Sequence, residues 1–419
     1  MLIEFRVANY KSFLEEQIFS MVADEREGDA HLENTFTTKA ISDIKLLKSV
    51  AIYGPNASGK TTFIKAIKFM RDFVSSPNSC YTQEGKIPTQ PFLLDTESRQ
   101  TPSEFEVTFV HKEKRYQYYF SVDADRVYEE RLWVYRREEH EVLFDRKLND
   151  NGTGYEWNFS PKLKGKKVKA SETTKSNLLY LSRIAESPDD NEQLYEVHEW
   201  FACYLHVIGT GKNGDNEVDD SLEQLPQKPT LDEFNEFIIP FLRDADTGIV
   251  NFMPENVNFF LSLNGRMSHG TRDGSPPVIF EETDESLGTW RLFYIGRAIL
   301  GVLKSGAVLL VDELDMSLHI MIIKGLINLF HNPTLNPHNA QLIFSTHDVT
   351  LFKSFRRDQI WFIEKDNGGD SEIYSMSKFE PLLNKQEEFN YLQGRYGAIP
   401  LFGDYWEEIL NEQNKTTGA

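Results

Sequence analysis

The sequence is poor in several features whose absence narrows what it can be. Only two cysteines occur in 419 residues, Cys80 and Cys203. Neither belongs to a Cys-x-x-Cys or Cys/His cluster, which argues against a disulfide scaffold and a structural zinc site and leaves two isolated thiols. No apolar run approaches the roughly 20 residues that a membrane span needs. The longest, Ala298 to Val311, is broken by Lys304 and Ser305 and runs into acids. The first residues, Leu2-Ile3-Glu4-Phe5, read as a strand and lack the basic-then-apolar layout of a signal peptide, which predicts a cytoplasmic location. Heptads of coiled-coil length and internal repeats are missing too. Base is scarce: 45 Lys and Arg stand against 65 Asp and Glu, a formal charge of -20. Such a surface repels nucleic acid at long range. The densest basic run, Lys162 to Lys169 with five lysines, reads as a solvated turn.

What remains is an ordinary globular composition, 40% apolar and 26% charged, on a chain long enough for two to three domains. Leu2 to Val7 and Glu15 to Ser20 read as edge strands around the turn-like Asn9-Tyr10-Lys11-Ser12. Leu46 to Tyr53 reads as one fully buried strand that runs into a glycine-containing loop and then a helix spaced by Phe63, Ile64, Ile67 and Met70. Residues 103 to 157 are rich in aromatic and β-branched positions between charged turns, which predicts an antiparallel subdomain. The pattern turns helical from Leu178 to Leu205, and residues 209 to 230, with Pro226 and Pro229, read as a mobile surface loop.

Helix is expected again at Leu231 to Ala245, strand at Ile249 to Met253 and Asn258 to Leu263, and loop at 264 to 277. A helix from Glu285 to Gly306 precedes an apolar strand, Ala307 to Val311, and a further helix separates it from the strand Gln341 to Ser345. Apolar strands alternating with helices predict a mostly parallel sheet covered on both faces. The expected division is residues 1–162 for the first part of the head with its β subdomain and 163–280 for a mainly helical insertion. Residues 281–380 complete the head, and 381–419 form a C-terminal segment. Within that segment, Tyr391 to Phe402 is aromatic and glycine-spaced, which favours packing on the core.

The chemistry is carried first by Gly54-Pro55-Asn56-Ala57-Ser58-Gly59-Lys60-Thr61. Gly54 and Gly59 let backbone N–H groups turn inward around phosphates at the start of a helix, whose dipole favours an anion. In that frame Lys60 reaches the β- and γ-phosphates, Thr61 supplies a hydroxyl to Mg²⁺, and Asn56, Ser58 and Thr62 complete the ATP-contacting set. The second element, Val308 to Glu313, is an apolar strand ending in two acids. Asp312 then stands beside the Mg²⁺, and Glu313 is left to polarise the attacking water. The third is a strand ending in Thr346-His347-Asp348, which places His347 at the edge of the sheet where ligands bind.

With these motifs in place the chain resembles the ATP-binding-cassette class of ATPase heads, the relatives of chromosome-maintenance and recombination ATPases. It is most similar to stand-alone prokaryotic defence ATPases, the OLD-like subunits and those paired with a Toprim-like nuclease. The likeness also rests on Phe5-x-x-x-Asn9-Tyr10-Lys11-Ser12-Phe13, Asp246-Thr247-Gly248-Ile249, Glu285-Ser286-Leu287-Gly288-Thr289, Asp312 to His319 and Arg357 to Phe362. The resemblance implies a P-loop α/β head with a mixed central sheet that works as a homodimer on Mg-ATP. In that pairing Ser286 and Gly288 act as the signature that closes on the partner's nucleotide. The Glu-Ser-Leu-Gly-Thr segment departs from the Leu-Ser-Gly-Gly of transporters.

By the same resemblance, Asp315 lies in the loop that communicates between sites, Lys11 reaches the nucleotide, and Gln90 is a metal and water ligand. The function it implies is a sensor or scaffold in a defence complex that controls a partner effector, with a nuclease first among candidates. A DNA repair or recombination ATPase is the alternative, but the chain lacks coiled-coil arms and a basic face. A transporter subunit would need the usual signature. A self-contained nuclease would need a second acidic cluster with metal-ligand spacing.

Overall fold

The computed structural model describes residues 1–28, 30–75, 85–136, 139–163, 167–185, 191–210, 216–217, 220–244, 248–254, 265–381 and 386–400. Its strands, in chain order, are β1 Leu2–Ala8, β2 Gln17–Ser20, β3 Thr35–Thr38, β4 Ile41–Leu47, β5 Ser49–Tyr53, β6 Ser103–His111, β7 Lys114–Val122, β8 Val127–Arg136, β9 Glu139–Leu148 and β10 Tyr155–Phe159. Then follow β11 Leu205–Thr210, β12 Asn216–Glu217, β13 Ile249–Pro254, β14 Gly265–His269, β15 Val278–Phe280, β16 Val308–Val311, β17 Gln341–Ser345, β18 Ile360–Lys365 and β19 Ser371–Ser375.

The central sheet has the order β12-β11-β16-β17-β5-β18-β19. Its five inner strands, β11 to β18 in that order, run parallel, and the two edge strands are antiparallel. Every residue of β5, β16 and β17 is buried, the pattern of strands covered on both faces. Along β5 the side chains alternate between two cores. Val50 and Ile52 pack with Phe63, Ile67 and the antiparallel sheet; Ala51 and Tyr53 pack with Leu292, Ile299 and Leu326. The first core is roofed by the helix Lys60–Ser75, the second by the helices Leu231–Asp244, Leu287–Ser305 and Ile320–His331.

A second sheet, β10-β9-β8-β7-β6-β1-β2, is antiparallel throughout. It packs on the other side of the helix Lys60–Ser75, where Phe69 and Phe73 meet Phe120 and Phe69 meets Phe105. The helix that starts at the phosphate loop is thus held between the two sheets, so it is set by long-range packing rather than propensity. Gln341, fully buried at the start of β17, ties the sheets together through Leu2 N at 2.6 Å and the carbonyls of Leu2 and Leu47.

The mostly parallel central sheet and the antiparallel subdomain agree with the sequence reading, and four local expectations need correction. β1 is not an edge strand, because β2 and β6 flank it. Leu46 to Tyr53 is not one strand: the chain changes partners at Lys48, leaving β3 for β17 and β18. Leu205–Thr210, expected at the junction of helix and loop, is β11 of the central sheet, pairing Leu205 to Ile208 with Val308 to Val311. Residues 163–280, expected as a mainly helical insertion, therefore contain a strand of the head. Finally, 265–269 within the expected loop is β14. The expectations for Asn258 to Leu263, for 211–215 and 218–219 of the 209–230 loop, for Cys80, for 164–166 of the lysine run and for 401–419 lie outside the described residues, while the end of the lysine run, expected as a turn, enters the helix Lys167–Thr173. Tyr391 and Tyr396 do pack on the core, both stacked on Phe362.

Within the antiparallel sheet the cross-strand pair Glu130 and Arg146 is fully buried, with nitrogen and oxygen 3.5 Å apart. Glu130 accepts from Tyr118 Oη, Tyr180 N and Leu181 N. Arg146 donates to the carbonyls of Leu178 and Lys175 and stacks on Tyr155. The pair fastens residues 175–181 to the sheet. Removing one member of a buried pair strands the other charge, at a cost of about 3 to 5 kcal/mol. We expect Arg146→Met to lower the unfolding free energy obtained from urea titration by that much and Glu130→Gln/Arg146→Met to recover part of it. A loss below about 1 kcal/mol for the single variant would contradict the pairing.

Candidate functional site

The site forms where β5 runs into the loop 54–59 and the helix that begins at Lys60. A Cβ at Gly54 would stand 2.2 Å from Ile363 O, and one at Gly59, whose φ is 122°, would stand 2.8 Å from Ser371 Oγ. No side chain fits at either position, so the backbone lies against β18 and β19 with its other side open. That open side is a cavity of about 430 Å³ lined by Asn56 to Thr62 together with Glu313 and Lys365. Lys60 is buried, and its Nζ bends over the loop to the carbonyls of Gly54 at 2.7 Å and Pro55 at 3.0 Å. Burial pulls its pKa down, while Asp312, Glu313 and Asp315 act the other way.

Thr61 Oγ1 donates to Asp312 Oδ2 at 2.8 Å, across 251 positions of sequence. The other Asp312 oxygen takes Ser345 Oγ at 2.6 Å, and that hydroxyl in turn accepts from Glu313 N at 2.7 Å. Asp312 is 1% exposed. Two hard oxygen donors, one charged, meet beside the cavity, Thr61 in its lining and Asp312 buried behind it, close to a buried ammonium group. This donor set fits a small divalent cation bound together with a phosphate, as Mg²⁺ is.

Glu313 holds a left-handed backbone at φ 50°. Asp315 accepts His347 N at 2.9 Å. Burial and Lys60 lower the pKa of His347, opposed by Asp315, Glu313 and Asp312, so the charges that act on its ring are those of the site. The structure therefore gathers Gly54, Asn56, Ser58, Gly59, Lys60, Thr61, Thr62, Asp312, Glu313, Asp315 and His347 into one region.

Four expected residues fall elsewhere. Ser286 caps the helix Leu287–Ser305, accepting Thr289 N at 3.1 Å. Gly288 lies against Ser317, whose carbonyl a Cβ would meet at 2.7 Å. Neither lines the cavity of its own chain. Lys11, also left-handed at φ 53°, donates its N–H to Gln90 O at 2.8 Å. Burial and then Lys65, one turn into the helix after the loop, depress the Lys11 pKa. The Gln90 side chain is exposed and outside the cavity lining, so its place as a metal ligand does not follow from this geometry.

Three residues at the site went unread in the sequence. Ser345 was seen only as the end of a strand. Lys365 was hidden in an ordinary Glu-Lys strand end, although the rule that ligands gather at carboxyl ends of parallel strands points to it. Arg291 is fully buried in the helix behind the signature and donates Nη2 to Asp312 O at 3.0 Å and to Glu313 O at 2.6 Å. A lone arginine in a helix carries no sequence signal of such a contact.

A mixed central sheet with a phosphate loop after β5 and an acidic strand end at β16 defines a P-loop nucleoside-triphosphatase fold of the α/β class. The chain belongs to the family described as AAA domain, putative AbiEii toxin, Type IV TA system, whose model matches residues 49–353. That span takes in the loop, Asp312, Glu313 and His347. No curated protein matches the sequence. Among solved structures, the SMC head domain from Thermotoga maritima is 14% identical, covering 89% of this chain and 98% of that one at a TM-score of 0.40. An Smc head with an extended coiled coil bound to the C-terminal domain of ScpA, from Pyrococcus furiosus, is 13% identical, covering 94% and 99% at 0.42. Likeness at that level adds nothing to the family match. Among the described residues no helix is long and apolar enough to cross a membrane.

The surroundings of His347 give a direct check. In a ¹H–¹³C titration of the imidazoles, the signal lost in His347→Asn should titrate below the ordinary 6.5 and so be neutral at pH 7. A midpoint above 6.5 would contradict the arrangement.

Proposed function

We propose that the chain binds and hydrolyses Mg-ATP as an ATP-binding-cassette-type head, and that two copies close on the nucleotide to do so. The observation that carries this reading is the Thr61 to Asp312 contact at 2.8 Å, which joins the phosphate loop to the acidic strand end beside the cavity. Mg²⁺, when bound, offsets phosphate charge and orders water in the manner of this class of site. Lys60 swings from the carbonyls of its own loop to the phosphates. The loop amides and the first turn of the helix cradle the anion. Glu313, lining the same cavity, takes the proton of the attacking water, and His347 holds that water against the γ-phosphate.

The placement of Ser286 and Gly288 supports the paired state. The hydroxyl and the free amides at the start of their helix lie outside their own chain's cavity, where a second copy can use them. A two-fold pair lets each signature meet the other's γ-phosphate, which supplies donors on the open side and excludes water.

Beyond hydrolysis, we read the protein as a cytoplasmic sensor or scaffold of a prokaryotic anti-phage defence complex that controls a partner effector, a Toprim-like nuclease first among candidates. The family description, which names a putative toxin of a toxin–antitoxin system, and the motif resemblance to defence ATPases support it. So does the net charge of -20, which disfavours direct action on DNA.

The test removes the base and leaves the binding groups. Glu313→Gln should bind Mg-ATP within about threefold of the parent while turnover falls about 100-fold or more, and with ATP its mass in solution should double. A variant that stays monomeric at saturating ATP contradicts the paired state, and one that loses affinity and turnover equally contradicts the role of Glu313. Co-purification with the products of neighbouring genes, followed by a nuclease assay, tests the effector.

A further inference from the structure

The helix that carries the signature segment meets the stretch after β16 within a single chain at two places. Gly288 lies against the carbonyl of Ser317, which an added Cβ would meet at only 2.7 Å. Three residues further on, the fully buried Arg291 sends Nη2 to the carbonyls of Asp312 and Glu313. Glu313 needs outside support. Its φ of 50° is one that a non-glycine residue keeps only where the surroundings impose it. Ser345 Oγ takes its N–H at 2.7 Å, and Arg291 takes its C=O at 2.6 Å. The peptide groups on both sides of Glu313 are thereby pinned, one from β17 and one from the helix that carries Ser286 as its cap.

We infer that Arg291 is a positioning residue for Glu313, fixing the base from behind and tying it to the signature segment of the same chain. The inference rests on the ATPase reading for its functional consequence. A guanidinium donating to two successive carbonyls is a charge-assisted clamp that a neutral or shorter side chain reproduces poorly. Because the clamp grows from the helix that meets the partner's nucleotide, a displacement at Ser286 moves Arg291 and with it the carbonyl of Glu313. Occupancy of one site then tunes the base of the other, and hydrolysis by the pair becomes cooperative in ATP.

Three readouts test it. In Arg291→Gln the nucleotide affinity should stay within about threefold while turnover drops at least about tenfold and the Hill coefficient falls toward 1, with Arg291→Lys recovering part of the turnover. In the nucleotide-free protein, hydrogen exchange over residues 313–318 should quicken in Arg291→Gln, because Met316 N bonds to the same Glu313 carbonyl at 3.0 Å. If Arg291→Gln does not fold, Arg291→Lys decides alone by the same affinity, turnover and exchange measurements.

Equal loss of affinity and turnover would mean a merely structural arginine and would overturn the inference. Parent-like turnover with intact binding, or unchanged exchange, would do the same, and each would leave the ATPase reading standing. A parent protein that binds ATP without hydrolysing it breaks the functional reading instead, and the inference about catalysis falls with it.

Discussion

Everything at the site depends on where the Asp312 carboxylate is held. It is buried at the end of β16, takes a hydroxyl from Thr61 on one oxygen and from Ser345 on the other, and so draws the ends of β5, β16 and β17 to one point. A buried carboxylate is tolerated where both of its oxygens are hydrogen-bonded, as they are here. The sheet order makes the arrangement possible, because β17 lies between β16 and β5 and pairs with both. The topology of the central sheet is in that sense a device for presenting one hydroxyl and two acids beside a loop of free amides.

The same constraint sets what can move. On the proposed reading Lys60, bonded to the carbonyls of its own loop, leaves these partners when phosphate binds and exchanges two neutral acceptors for a charged one. Glu313 is fixed at both flanking peptide groups, which sets the direction in which its side chain leaves the backbone. Fixed dipoles and charges of this kind do their work without reorganising during the reaction, which is the usual source of the largest gains in phosphoryl transfer.

Much of this was legible in the sequence, for local reasons. The loop 54–61 declares itself because a buried strand, two glycines, a lysine and a hydroxyl must fall in one order, and β16 because an apolar run ends in two acids. The helix expected from Glu285 to Gly306 by its apolar spacing is found at Leu287–Ser305, with Ser286 as its cap and Gly306, left-handed at φ 70°, as its end. Tyr391 and Tyr396 betrayed their packing by aromatic spacing.

What stayed hidden was long-range. β11 follows a helix with no turn signal and runs into a polar, glycine-containing stretch, so only its pairing with β16 reveals it. Ser345, Lys365 and Arg291 matter through contacts with residues distant in sequence, and nothing in their own neighbourhoods encodes that. Gln90 was assigned from its chain position alone, and its exposed side chain outside the cavity lining gives that role no support in this geometry.

The central claim is that the cavity over residues 56–62 is an Mg-ATP site built on Lys60 and the Thr61 to Asp312 pair. Calorimetric titration of ATP, with magnesium and with a chelator, into the parent and into Lys60→Ala tests it most directly. The account predicts saturable binding at one site per chain that weakens on chelation and weakens at least about tenfold in Lys60→Ala, the equivalent of about 1.4 kcal/mol or more for a lost charge-assisted bond. Binding of equal strength in the two proteins, or binding indifferent to magnesium, would contradict it.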